Sequence, residues 1–219
     1  MRLINSIVYP FIFLSLLWII MLYQYLTGIS LGHYGVYPRH VEGLEGIIFM
    51  PLLHASFTHL LSNSLPLLIL GAGVIYFYRE VAAKVIAIIY FMTGALVWIF
   101  ARGGVDGHAV HHIGASGIIY GFAAFLFFGG IFRKNPRLMA ISLLILIYYG
   151  GLFWGALPGG NPNISWEGHL CGAIAGIFAA YIYKNKGPKP KKYDWEDEPD
   201  SIHPGPHISQ YWEVKPRGE

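Results

Sequence analysis

Six apolar stretches dominate this chain, each at or near the length needed to cross a bilayer, and they leave little freedom in what it can fold into. A helix needs about 17 to 25 residues to cross the ~30 Å of hydrocarbon. The stretches run over 4–26, 60–78, 85–101, 113–132, 138–154 and 168–183. The last is short, and gains length if its helix begins near Trp166 or continues toward Lys184. Hydrophobic residues make up 55% of the chain and charged residues 12%, with a mean hydropathy of +0.49, which excludes a soluble domain of 219 residues. The pattern predicts an all-α membrane protein built as a six-transmembrane-helix bundle over 1–183.

The first stretch is too long for a secretory signal, and no small-x-small cleavage site follows it before Thr27 and Gly28, so it is read as a retained helix. The single cysteine, Cys171, lies in the sixth stretch and is read as a packing residue. Basic residues set the expected orientation. Arg2, Arg79, Lys84, Arg133, Lys134, Arg137 and the lysines after Tyr183 fall on one side, and only Arg39 and Arg102 on the other. The positive-inside rule then places both termini in the cytoplasm of a multi-pass protein. The external segment 28–57 contains the apolar string 46–53, too short to span and expected to lie at the interface against the bundle. The tail 184–219, first basic and then acidic and proline-rich, is expected to be cytoplasmic and largely disordered.

In this topology the second, fourth and sixth helices all begin in the outer leaflet, and those ends carry the polar residues. His54, His59 and Asn63 lie at the first, Ser116 at the second and His169 at the third. Polar groups inside a membrane are costly and face a bundle interior or a water-filled cavity. A serine hydroxyl becomes a nucleophile when a base takes its proton, and a neutral imidazole suits that task, so Ser116 and His169 form a candidate catalytic pair. Gly117 with Gly121, and Gly172 with Gly176, give each helix a small-xxx-small pattern that permits close approach. Tyr120 lies one turn beyond Ser116, where its ring can restrain the imidazole.

Glu167, two residues before His169, projects away from it on a helix, so the pattern predicts a dyad rather than a triad. His59 and Asn63 stand at i and i+4 and can both donate to an oxyanion, as can the Ser116 backbone N–H at a helix start. His54 is off that face by about 140° and is assigned to holding the external loop. Taken singly, each residue has a plain structural reading as a packing, capping or helix-joining group. The placement of all of them at one depth favours chemistry. His108, His111 and His112 raise a metal site, but lack a nearby carboxylate or thiolate partner and are read as part of a flexible loop. No metal, cofactor or nucleic-acid partner is expected.

His54-x4-His59-x3-Asn63, Gly114-x-Ser116-Gly117 with Tyr120, and Gly168-His169-x2-Gly172 resemble the three signatures of the rhomboid intramembrane serine proteases, across residues 4–183. The resemblance implies a serine endopeptidase with Ser116 as nucleophile, His169 as general base and acid, and His59 and Asn63 as oxyanion donors. It implies a compact six-helix bundle with a water-filled cavity opening outward. It also implies single-span membrane proteins as substrates, cut near the external face, and the basic bacterial or archaeal form in a cell membrane. One departure is Glu45-Gly46, where several bacterial members carry Trp-Arg in the external loop. A proteolytically silent protein that holds single-span clients is the alternative reading.

Overall fold

A computed structural model describes residues 2–105, 108–148 and 165–188. The described residues are helical apart from connections and one short antiparallel pair, β1 (Gly104–Val105) with β2 (His108–Ala109). The helices are α1 (Arg2–Thr27), α2 (Gly46–Phe49), α3 (Phe57–Phe77), α4 (Ala82–Phe100), α5 (Ser116–Phe132), α6 (Pro136–Tyr148) and α7 (Trp166–Ile182). Among the described residues, three helices are long and apolar enough to cross a membrane: Leu3–Thr27, Phe57–Phe77 and Ala82–Phe100. α5 is apolar but shorter, at 17 residues. The fifth expected stretch is described only as far as Tyr148, and its remainder lies outside the described residues.

α5 forms the centre, packed against α3, α6 and α7, with α1 lying on α3 and α4 on α7. Its sequence is apolar on every side, as a helix enclosed by others must be. Leu60, Leu67 and Leu70 of α3, Val85 and Ile89 of α4, and Phe125 and Leu126 of α5 are fully or almost fully enclosed in the core. α1 does the opposite, turning Ile4, Phe11, Ile12 and Ile19 outward. An apolar exterior of that extent suits hydrocarbon rather than water.

Local chemistry sets the helix starts. Ser56, in extended backbone, accepts a hydrogen bond from the His59 N–H at 3.1 Å and caps α3, which therefore begins at Phe57 rather than at residue 60. α5 begins at Ser116 rather than 113, because Gly114 has φ +118 and breaks the run before it. Ser165 caps α7 by accepting from the Gly168 N–H at 3.1 Å.

The segment joining α1 to α3 folds as short helical turns laid over the end of α4. The Arg39 N–H donates to the Trp98 carbonyl, and its guanidinium to the carbonyls of Ala101 (2.6 Å) and Ile99 (3.2 Å), the last acceptors of that helix. The Tyr90 hydroxyl donates to the Ile48 carbonyl, and Ile47 lies against Gly94. Backbone pairing of Val36 with His112 ties the same segment to the approach to α5. Cys171 is buried beside Val36, Met50 and Val97 beneath it, an inert packing position. At the other end of the bundle, Arg133 donates to the carbonyls of Lys184 and Pro188, docking the first residues of the expected tail. The tail from residue 189 onward lies outside the described residues.

Candidate active site

α5 and α7 touch backbone to backbone. A Cβ on Gly172 would overlap the Gly117 carbonyl, and one on Gly176 would overlap the Gly121 carbonyl. A Cβ on Gly117 would lie 3.0 Å from the Gly168 carbonyl oxygen. Small residues at this spacing let two helices meet closely, and here they set the distance between the side chains just above them. His169 Nε2 is 2.8 Å from Ser116 Oγ. The imidazole stacks on the Tyr120 ring, with centroids 4.3 Å apart and planes 10° from parallel. A hydroxyl that donates to an imidazole nitrogen, on a ring held flat by a neighbour, is the arrangement in which a serine can be activated.

The segment before Ser116 carries the second part of the site. The Gly114 N–H donates to the Met50 carbonyl at 2.8 Å, and its positive φ turns the chain toward α5. The point where a Gly114 Cβ would stand is 3.0 Å from His59 Nε2 and 3.8 Å from Ser116 Oγ. Only glycine satisfies both that φ and that space. His59 and Ser116 thus both border the space at Gly114, and Asn63, one turn further along α3, is buried. The Ser116 N–H, at the first residue of α5, is among those with no intrahelical acceptor.

His54 is placed differently from the sequence expectation. It is buried, its Nε2 accepts from the Ala115 N–H at 3.3 Å and lies 3.1 Å from Asn63 Nδ2. An amide N–H can only donate, so Nε2 carries the lone pair and the proton is on Nδ1. His54 precedes the helix, which begins at Phe57. Leu53 is extended (φ −100, ψ 140), so helical spacing does not apply across Ser56. Burial pushes the His54 imidazole down to about 3, with the nearby His59 adding to the effect. His54 therefore stays neutral, as an acceptor must. It also lines a cavity of about 430 Å³ between the end of α1 and the start of α3, with Gln24, Ser30 and Ser56, which neither Ser116 nor His169 lines.

The loop between α4 and α5 is not free at His112. That side chain is buried, with Nδ1 2.6 Å from Ser165 Oγ and Nε2 2.9 Å from the Arg102 carbonyl oxygen. Burial lowers its pKa, so the neutral ring prevails. Arg102 Nε lies 3.4 Å from Glu167 Oε1, an ion pair that sequence reasoning missed by weighing Arg102 only for topology. Glu167 is turned to Arg102. Among the described residues, no group of three or more His, Cys, Asp or Glu side chains is arranged to hold a metal ion.

A helical bundle with an apolar exterior, enclosing hydrogen-bonded serine and histidine at one end of its central helices, defines a multi-pass membrane protein with a polar site. The family model described as the Rhomboid domain matches residues 42–186. Proteins named only as uncharacterised, from Mycobacterium bovis and Mycobacterium tuberculosis, are each 40% identical over 177 residues, 78% of this chain and 72% of their own. One from Mycobacterium leprae is 37% identical over 172 residues, 78% of this chain and 68% of its own. The chain belongs to the rhomboid family.

Proposed function

We propose that this chain is an intramembrane serine endopeptidase that cleaves single-span membrane proteins near the external face. The observation that carries the reading is the 2.8 Å contact between Ser116 Oγ and His169 Nε2, with Tyr120 stacked on the imidazole. Ser116 Oγ attacks the scissile carbonyl carbon while His169 Nε2 takes its proton, with the other ring proton on Nδ1. The oxyanion that forms is met by the His59 imidazole, the Asn63 amide and the Ser116 N–H. His169 then gives the proton to the leaving amine, and water, activated by the same ring, releases the acyl group. Glu167 is engaged by Arg102, which supports a dyad.

A client helix must expose its peptide bond to be cut, so segments with Gly, Pro or small polar residues near the outer end are the preferred substrates. The proposed setting is a bacterial or archaeal cytoplasmic membrane, crossed six times, with both termini in the cytoplasm. Purified protein in detergent with a model single-span substrate tests the reading. Cleavage by wild type, abolished in Ser116→Ala and His169→Ala, is expected. A wild-type chain that neither cleaves nor is labelled by a serine-directed phosphonate would instead be a client-binding protein.

A further inference from the structure

We infer that Glu167, held by Arg102, is a positioning residue for His169: together with the adjacent link from His112 to Ser165, it fixes the roll of the outer end of α7 and so keeps the imidazole on Ser116. The inference rests on the protease reading and adds residues that the motifs do not contain.

Two links run from the start of α7 to a single residue just past the end of α4. In the first, the Arg102 carbonyl can only accept, so His112 Nε2 carries the proton and donates to it at 2.9 Å. Neutral His112 then presents the Nδ1 lone pair, and the Ser165 hydroxyl donates to it at 2.6 Å. The Ser165 oxygen in turn accepts the Gly168 N–H, one residue before His169, at 3.1 Å. In the second link, Glu167 Oε1 meets the Arg102 guanidinium at 3.4 Å, with the carboxylate side chain only 8% exposed. His112 is itself held by the backbone pairing with Val36, so the first link runs through fixed structure.

The glycine seam explains why such links are needed. Backbone on backbone sets the separation of α5 and α7, and the side chains that α7 buries beyond His169 are small, Cys171, Ala175 and Ala179 among them, so they give little resistance to rotation of α7 about its own axis. An imidazole nitrogen about 6 Å from a helix axis moves about 1.5 Å for a roll of about 15°. Misplacement of about 1 Å can cost about 10²-fold in rate. One attachment at the helix end leaves a pivot, whereas attachments at residues 165 and 167 stop the roll. A partly buried ion pair is a poor way to gain stability, since apolar groups of equal volume do as well, and what this one offers is a tether between α7 and the chain just past α4.

The test uses the full chain with labelled histidine, reading the His169 ring signal by NMR, assigned by its loss in His169→Ala. Stacking on Tyr120 displaces that signal upfield. In Glu167→Gln the displacement shrinks, and kcat on a single-span substrate falls about 10- to 100-fold with KM within twofold of wild type. Arg102→Gln does the same and replaces a whole surface-side partner, so it serves if Glu167→Gln fails to fold. The charge-swapped pair Arg102→Glu with Glu167→Arg recovers part of both readouts. A wild-type His169 signal and kcat in either folded single variant, or a rise in KM alone, overturns the inference. Lost displacement in a chain whose wild type does not cleave would leave the positioning intact and overturn the protease reading.

Discussion

Ser116 Oγ and His169 Nε2 stand 2.8 Å apart although 53 residues separate them in the chain. Nothing local accounts for that distance. It follows from two helices in glycine contact and from two helix starts placed at the same level.

Removal of either member of the pair should abolish turnover. Ser116→Ala and His169→Ala are expected to show no cleavage of a single-span substrate on gels and no labelling by a fluorophosphonate probe, while unfolding at the wild-type temperature. Asn63→Ala should retain a trace, because loss of one oxyanion donor among several costs about 10² to 10³ in kcat. Equal loss through KM would show that Asn63 binds substrate instead.

Enlarging the seam should act on the fold. Gly172→Leu places a side chain where the Gly117 carbonyl stands, so α7 must move off α5. Activity should be lost together with a lowered unfolding temperature, since overpacking costs about 1 to 3 kcal/mol or more. A folded, fully active Gly172→Leu protein would contradict the described contact.

Much of this was legible in the sequence, and the misses share a cause. Helical spacing placed Ser116 and Tyr120 on one face and put Gly117 and Gly121 toward Gly172 and Gly176, as found. The same rule misplaced His54, which lies in extended chain ahead of α3 and reaches Asn63 and Ala115 rather than the external loop. It also had no means of showing that His112 is buried, since the partners of that ring, Ser165 and the Arg102 carbonyl, belong to other parts of the chain. Periodicity reports on neighbours along a helix. Contacts between loops depend on where the helices end, and only packing settles that. The absent Trp-Arg pair illustrates this: Arg39, ahead of the expected position, docks the segment between α1 and α3 on α4 through the Ala101 and Ile99 carbonyls.

Acid should weaken the fold through His54. Its folded pKa, about 3, lies below the ordinary 6.5, so the unfolded chain binds more protons between those values. The contribution is fully present above pH 6.5 and is lost as pH falls toward 3, with a slope of about 1.4 kcal/mol per pH unit from this group. Unfolding in detergent followed across that window should show the slope, reduced in His54→Gln. A slope unchanged by that substitution would remove His54 as its source.

Replacing Tyr120 should separate ring from hydroxyl. Tyr120→Phe keeps the stacked surface and is expected within about twofold of wild-type kcat, whereas Tyr120→Ala frees the imidazole and should cost about tenfold or more. Cleavage rates at saturating substrate, measured side by side, decide it.

Because the α5–α7 seam is made of main chain, the spacing of Ser116 and His169 is written into a part of the molecule that amino-acid replacement can hardly edit. Such a protein can diversify at its connecting loops, its outward apolar faces and its tail while the serine–histidine contact stays where it is. Its tolerance to change should therefore be sharply divided, wide across the exterior of α1 and almost nil along one short line of glycines.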